Sequence, residues 1–155
     1  MTPETFLIVG VEPAARLLPV EMDGFLSARM LTAIALQESN LQHRRQIGGP
    51  ARGYLQFELG GLKGVLRHEP SRGHAAAIVN ALDMASFAPA DLHAALEFND
   101  VLACAMGRLL LYTHPMPLPD NEADGWNYYL FLWRPGRPHP ERWAECWRRA
   151  TEAVT

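Results

Sequence analysis

Leu31-Thr32-Ala33-Ile34-Ala35-Leu36-Gln37-Glu38-Ser39-Asn40 reads as the last turns of an apolar helix that ends in a carboxylate. At about 100° per residue, Leu26, Met30, Ala33, Ile34 and Leu41 fall on one stripe. Phe25, Leu31, Ala35 and Leu36 spread apolar character around most of the remaining circumference. A helix of that kind is expected to be buried. Glu38 lies roughly 80° from the centre of the stripe, so its carboxyl is expected to leave the core at the lip of a cleft. Burial and the negative end of the helix dipole both disfavour the charged form there. The pKa is therefore expected to rise, which suits a proton donor near neutral pH.

Outward from that helix, the chain reads as helical throughout. Short helices are expected at about 3–10 and 13–18, with Pro13 in a first turn and Pro19 closing the second. Asp23 is the expected cap of the central helix. Residues 41–57 hold Gly48, Gly49, Pro50 and Gly53, the densest group of helix breakers, and are expected to form a loop with at most a small β-element. Further helices are expected at 59–69, 72–84, 89–97 and 98–113, with Ser71 and Ser86 as caps. After Pro115-Met116-Pro117-Leu118-Pro119, Asp120 or Asn121 can cap a helix on which Trp126, Tyr129, Leu130 and Trp133 share a face. A last helix at 140–152 carries Trp143 and Trp147, expected to pack inward. The prediction is one all-α domain over 1–155, with seven to eight helices around a buried central one.

Composition narrows the function. The chain has 155 residues, 48% of them hydrophobic and 20% charged, the make-up of an ordinary globular domain. A formal charge of −3 and no basic stripe argue against nucleic acid as a partner. The six histidines include no His-x-x-x-His pair, so no metal or other cofactor is expected. Cys104 and Cys146 are expected to be free buried thiols. The N-terminal residues 1–10 have no basic segment and too short an apolar run for a signal peptide, and no stretch reaches the length of a membrane span.

Gln37-Glu38-Ser39, preceded by Ala33-Ile34-Ala35-Leu36 and followed by Gly53-Tyr54-Leu55-Gln56, resembles the Glu-Ser and Gly-Leu-Met-Gln signatures of lysozyme-like soluble lytic transglycosylases and related phage peptidoglycan hydrolases. The resemblance covers residues 31–57 well and the rest loosely. Tyr54-Leu55 stand where Leu-Met is usual, and the serine normal in the connecting loop is missing. The resemblance implies a lysozyme-like fold, Glu38 as catalytic acid and base, and Gln56 lining a sugar cleft. It also implies that a late tyrosine holds the glutamate, for which Tyr129 is the candidate, since it shares the Trp126 and Trp133 face, with Tyr128 next. Ser39, Gly53 and Tyr54 complete the expected substrate contacts, Gly53 by letting backbone approach the sugar. The implied partner is the peptidoglycan glycan strand. A phage or prophage product made in the host cytoplasm, reaching the wall by holin-type release or within a virion, is the expected setting.

Most glycosidases use two carboxylates. Between Glu38 and Asp83 only Glu58 and Glu69 are acidic, and Glu58, next to Gln56-Phe57, is the candidate second carboxylate. A lytic transglycosylase needs one glutamate, because the sugar's own C6 hydroxyl attacks C1 and no water must be activated. The expectation is therefore anhydro-forming cleavage. Hydrolysis of the same bond, or a non-catalytic phage structural or glycan-binding module of the same fold, is the alternative.

Overall fold

Thr2 opens the first helix by accepting a hydrogen bond from the Thr5 N–H at 3.2 Å, with Pro3 in the first turn. In the computed structural model, which describes residues 1–155, helix α1 runs as Pro3–Phe6, widens into a π-helical stretch Leu7–Val11, and resumes as Glu12–Ala15. The expected break between two short helices is thus a bulge within one. Pro13 supplies the reason. In a regular α-helix its ring would press on the Val9 carbonyl. The wider turn, in which the Glu12 N–H donates to the Leu7 carbonyl, relieves that contact.

A 3-10 turn at Val20–Met22 leads into α2, Phe25–Ser39. Its N-cap is Gly24 at φ 138°, while the expected cap, Asp23, lies one residue outside and accepts the Gly24 N–H at 2.7 Å. From Met30 to Leu36 no residue of α2 is more than 2% exposed, so this is the buried central helix that the apolar pattern called for. The remaining helices are α3 (Leu59–Arg67), α4 (Glu69–Ala81), α5 (Pro89–Ala95), α6 (Asp100–Tyr112), α7 (Glu122–Trp133) and α8 (Pro140–Val154). The chain is all-helical, with eight helices and no sheet.

Short polar side chains set several starts. Asn99 accepts the Leu102 N–H at 2.9 Å, and Asn121 accepts the Asp124 N–H at 3.0 Å. Helix α4 begins earlier than expected, with His68 as N-cap, and Ser71 falls inside its first turn. Its hydroxyl donates to the Val65 carbonyl and so joins α3 to α4. Ser86 lies outside the Ala88 N-cap of α5, yet it accepts the Ala88 N–H and donates to Asp91.

Helix α8 packs along α2, and α1 and α4 pack along α6, so α2 and α6 form the interior. Trp143 and Trp147 are buried against α2 and α7, and both cysteines are buried and free. No helix is long and apolar enough to cross a membrane.

The 41–57 loop is an ordered structure with isolated β-bridges pairing Arg52 with Arg45 and with Phe57. It is fastened from outside. Arg44 forms a two-pronged ion pair with Asp100 and lies 4.3 Å over the Tyr54 ring, while Arg52 pairs with Glu97 at 3.3 Å. Gly53 is drawn against the α5–α6 junction at φ 72°, where a Cβ would meet the Leu96 carbonyl oxygen at 2.6 Å. Gly53→Ala combines a left-handed backbone with that clash. It is expected to cost about 2 kcal/mol or more in urea unfolding, and an unchanged midpoint would contradict this account of the loop.

Candidate functional site

Glu38 ends the core helix because the helix itself ends there. Asn40 takes a left-handed φ of 49° and its N–H returns to the Leu36 carbonyl, closing the last turn. Glu38 is half-buried, between the fully buried Leu36 and Ser39 and the outside. Its carboxyl lies in the wall of a cleft of about 910 Å³.

The Tyr129 hydroxyl donates to Glu38 Oε1 at 2.6 Å. Tyr129 is 2% exposed and held among rings, stacked on Trp143 at 5.4 Å and tilted against Trp126 at 5.3 Å. Burial, with the neighbouring Glu38 charge and the hydrogen bond to it, pushes the Tyr129 phenol far above its ordinary pKa, so it stays a donor. Burial also raises the Glu38 carboxyl, opposed by the Tyr129 hydrogen bond. The Glu58 charge raises it further and Arg142 pulls it back. Arg142 is fixed by donating to the Leu36 carbonyl at 3.2 Å. The net effect is a carboxyl that holds its proton to higher pH than an ordinary glutamate.

Gln56 lines the same cleft and adopts a left-handed φ of 47°. Its Nε2 folds back to donate to the Gly53 carbonyl at 2.8 Å. The amide oxygen has no protein partner and is not sealed from solvent, so it can accept from a ligand. Glu58, the exposed N-cap residue of α3, also lines the cleft. Trp133, from the aromatic face of α7, forms part of the wall and donates from Nε1 to the Leu55 carbonyl at 2.8 Å. It packs edge-on against Phe57. The hydrogen bond pins the loop to α7, and His93 adds a second one at 2.8 Å to the Phe57 carbonyl.

Three expected substrate contacts are not in the cleft. Ser39 is 1% exposed, and its hydroxyl donates to the carbonyls of Ala35 and Tyr54 and accepts the Leu41 N–H. It ties the end of α2 to the loop instead of meeting a sugar. Gly53 faces Leu96, as described, and its close approach is to protein backbone. Tyr54 is turned inward, edge-on to Phe6 and beneath Arg44. Tyr129 stands behind Glu38 as its positioning partner and does not line the cleft. Glu38, Gln56 and Glu58 are the anticipated residues that the fold brings together at the opening.

The remaining cleft residues were not anticipated. Gly60, Gly61 and Gly64 of α3 form one side, His68 and Thr113 are polar points on it, and Phe131 to Arg137 form the other. The sequence did carry a signal for two of these features. Glycines spaced i, i+4 inside a helix are costly and call for a reason, and Arg134-Pro135-Gly136-Arg137 is a basic turn directly after the aromatic helix.

No protein-family model matches the chain, and neither does any curated protein or solved structure.

Two outcomes test the electrostatics. A carboxyl whose folded pKa is raised contributes stability that is fully present below its unfolded pKa and is lost as pH rises through the folded value. Glu38→Gln removes that titration and keeps an acceptor for Tyr129. The variant is therefore expected to melt higher than the parent, by a margin that widens from about pH 4 to about pH 8; a margin constant with pH would oppose the assignment. Tyr129→Phe removes the donor that favours the carboxylate. It is expected to move the Glu38 titration, followed by carbon NMR, further upward and to cost about 1–2 kcal/mol of stability. A downward movement would show that Tyr129 does not act on Glu38 in this way.

Proposed function

We propose that the protein cleaves the glycan strands of peptidoglycan between N-acetylmuramic acid and N-acetylglucosamine, with Glu38 as the acid and then the base of a lytic transglycosylase reaction. The observation that carries this reading is a half-buried carboxyl, raised in pKa and aimed by Tyr129, in the wall of an open cleft. Protonated Glu38 gives its proton to the glycosidic oxygen as the bond from that oxygen to muramyl C1 breaks, freeing a hydroxyl on the glucosamine side. The muramyl C6 hydroxyl then closes on C1 and returns its proton to Glu38. The products are a 1,6-anhydromuramoyl end and a new non-reducing end, and the residue is restored. The buried Tyr129 hydroxyl keeps one carboxyl oxygen occupied, so Oε2 is the atom left to exchange the proton. The Gln56 amide oxygen is placed to accept from a hydroxyl or N-acetyl N–H of the strand.

This reading joins the cleft geometry to the resemblance of residues 37–39 and 53–56 to lysozyme-like transglycosylases. A phage or prophage setting, with release to the wall through a holin-type pore or delivery in a virion, goes with it. Glu58 supports a second reading. It lines the same cleft, and its charge is felt at Glu38. A carboxylate so placed can activate water, and the same bond would then be hydrolysed, giving reducing ends.

Purified chain incubated with insoluble cell wall should release soluble fragments, and Glu38→Gln should lower the rate at least about 100-fold. Mass spectrometry of the fragments should show anhydro ends, with Glu58→Gln reducing activity less than about tenfold. Reducing ends abolished by Glu58→Gln would replace transglycosylation with hydrolysis. A Glu38→Gln variant as active as the parent would remove Glu38 from the chemistry, and binding of wall without release by the parent would leave a glycan-binding module.

A further inference from the structure

The far wall of the cleft is formed by the turn that ends α7. Arg134 and Arg137 line it, both exposed, with Pro135 and Pro138 following them. Arg134 is the C-cap of α7 at φ 48°, ψ 53°, a left-handed position that usually falls to glycine. A following proline restricts the backbone of its predecessor further. Strain of this kind persists where surrounding structure holds it, and it collects at functional sites.

Neither guanidinium is paired with a carboxylate within the fold. No ion pair in the chain includes Arg134 or Arg137. Arg134 spends only Nε, on the Phe131 carbonyl at 3.3 Å, and no hydrogen bond fixes the Arg137 head. Glu38 and Glu58 line the same cleft, so it carries acidic groups and an unpaired basic pair together. Tyr129 and Arg134 are five residues apart, about 7.5 Å along the α7 axis, and Arg134, Arg137 and Glu38 line one cleft. Across from it, Gly60 and Gly64 face open space where a Cβ would stand, leaving a bare slot in α3. A plain N-acetylglucosamine polymer is uncharged and offers two arginines only neutral acceptors.

We infer that Arg134 and Arg137 bind carboxylates carried on the branches of the glycan, so that the cleft selects strands bearing acidic side groups over uncharged ones. The inference rests on the glycan-strand reading of the cleft. Guanidinium groups match carboxylates with paired N–H donors, and the prolines hold the turn in place before the ligand arrives. Two sources share this chemistry, the carboxylates of the stem peptide and, where that peptide has been removed, the lactyl carboxylate that its amide bond otherwise occupies.

Equilibrium binding on the Glu38→Gln background separates them, since no cleavage then intervenes. Three probes are peptide-bearing glycan oligomers, the same oligomers after an amidase has removed the peptide and left the lactyl carboxylate, and N-acetylglucosamine hexamers. Adding Arg134→Gln and Arg137→Gln should weaken the peptide-bearing oligomers, the amidase-treated oligomers or both about tenfold and leave the uncharged hexamers unchanged, with the difference eroding in high salt. Loss confined to the amidase-treated oligomers assigns the lactyl carboxylate, loss confined to the intact oligomers assigns the peptide, and loss on both shows that the arginines accept either carboxylate. Equal weakening on the uncharged hexamers, or none on any probe, overturns the inference. Arg134→Lys with Arg137→Lys keeps the charge and should recover part of the affinity. Release of fragments by the parent chain is scored separately, so a cleft that binds acidic branches without cutting would sink the cleavage reading and not this one.

Discussion

A carboxyl carried to the edge of an apolar core has to be satisfied there or neutralised. For Glu38 the fold does both. Tyr129, 91 residues further along, donates to one oxygen at 2.6 Å, and burial raises the pKa, which favours the neutral form. The arrangement sets demands on the rest of the chain. Helix α2 must be buried up to its last turn and must stop at Asn40. Helix α7 must present Tyr129 inward and Trp133 toward the cleft, a separation of four residues that places both near one face. The cage of Trp126 and Trp143 around the phenol ring makes its direction a property of the core rather than of a mobile side chain.

The 41–57 loop meets the opposite demand. It has to be irregular enough to reach over the end of α2 and rigid enough to hold Gln56 in a left-handed conformation. Rigidity comes from ties to three different elements. Ser39 holds the Tyr54 carbonyl from α2, Trp133 holds the Leu55 carbonyl from α7, and His93 holds the Phe57 carbonyl from α5. A serine directly after the acid is thus a mechanical coupling between the two halves of the site. Its value lies in where it puts Gln56.

Much of the fold was legible because it rests on local chemistry. The apolar run from Met30 to Leu36 marked the central helix, and Asn121 before an aromatic repeat marked the start of α7. Helix α1 was misread as two pieces because Pro13 looks like a beginning, and only tertiary structure shows a π turn absorbing it. Asp23 misled because the glycine after it, at φ 138°, takes the cap position. In the site, Glu38 and its tyrosine could be anticipated from helical spacing together with the family resemblance. Ser39, Gly53 and Tyr54 were placed in the cleft because a hydroxyl, a glycine and an aromatic ring are also what sugar sites use. Each is instead consumed in closing the loop. The cleft walls at Gly60–Gly64 and Phe131–Arg137 come from segments some seventy residues apart in sequence, a pairing that no local pattern encodes.

In the proposed reaction the Glu38 carboxyl meets the oxygen of the bond being broken. A crystal structure of the Glu38→Gln chain with a tetrasaccharide of alternating N-acetylglucosamine and N-acetylmuramic acid tests it most directly. The strand should lie along the cleft between α3 and the 131–137 segment, with a muramyl-to-glucosamine glycosidic oxygen within about 3 Å of the residue 38 side chain. A strand bound elsewhere, or one that crosses the cleft with every glycosidic oxygen beyond reach of that side chain, would contradict the account.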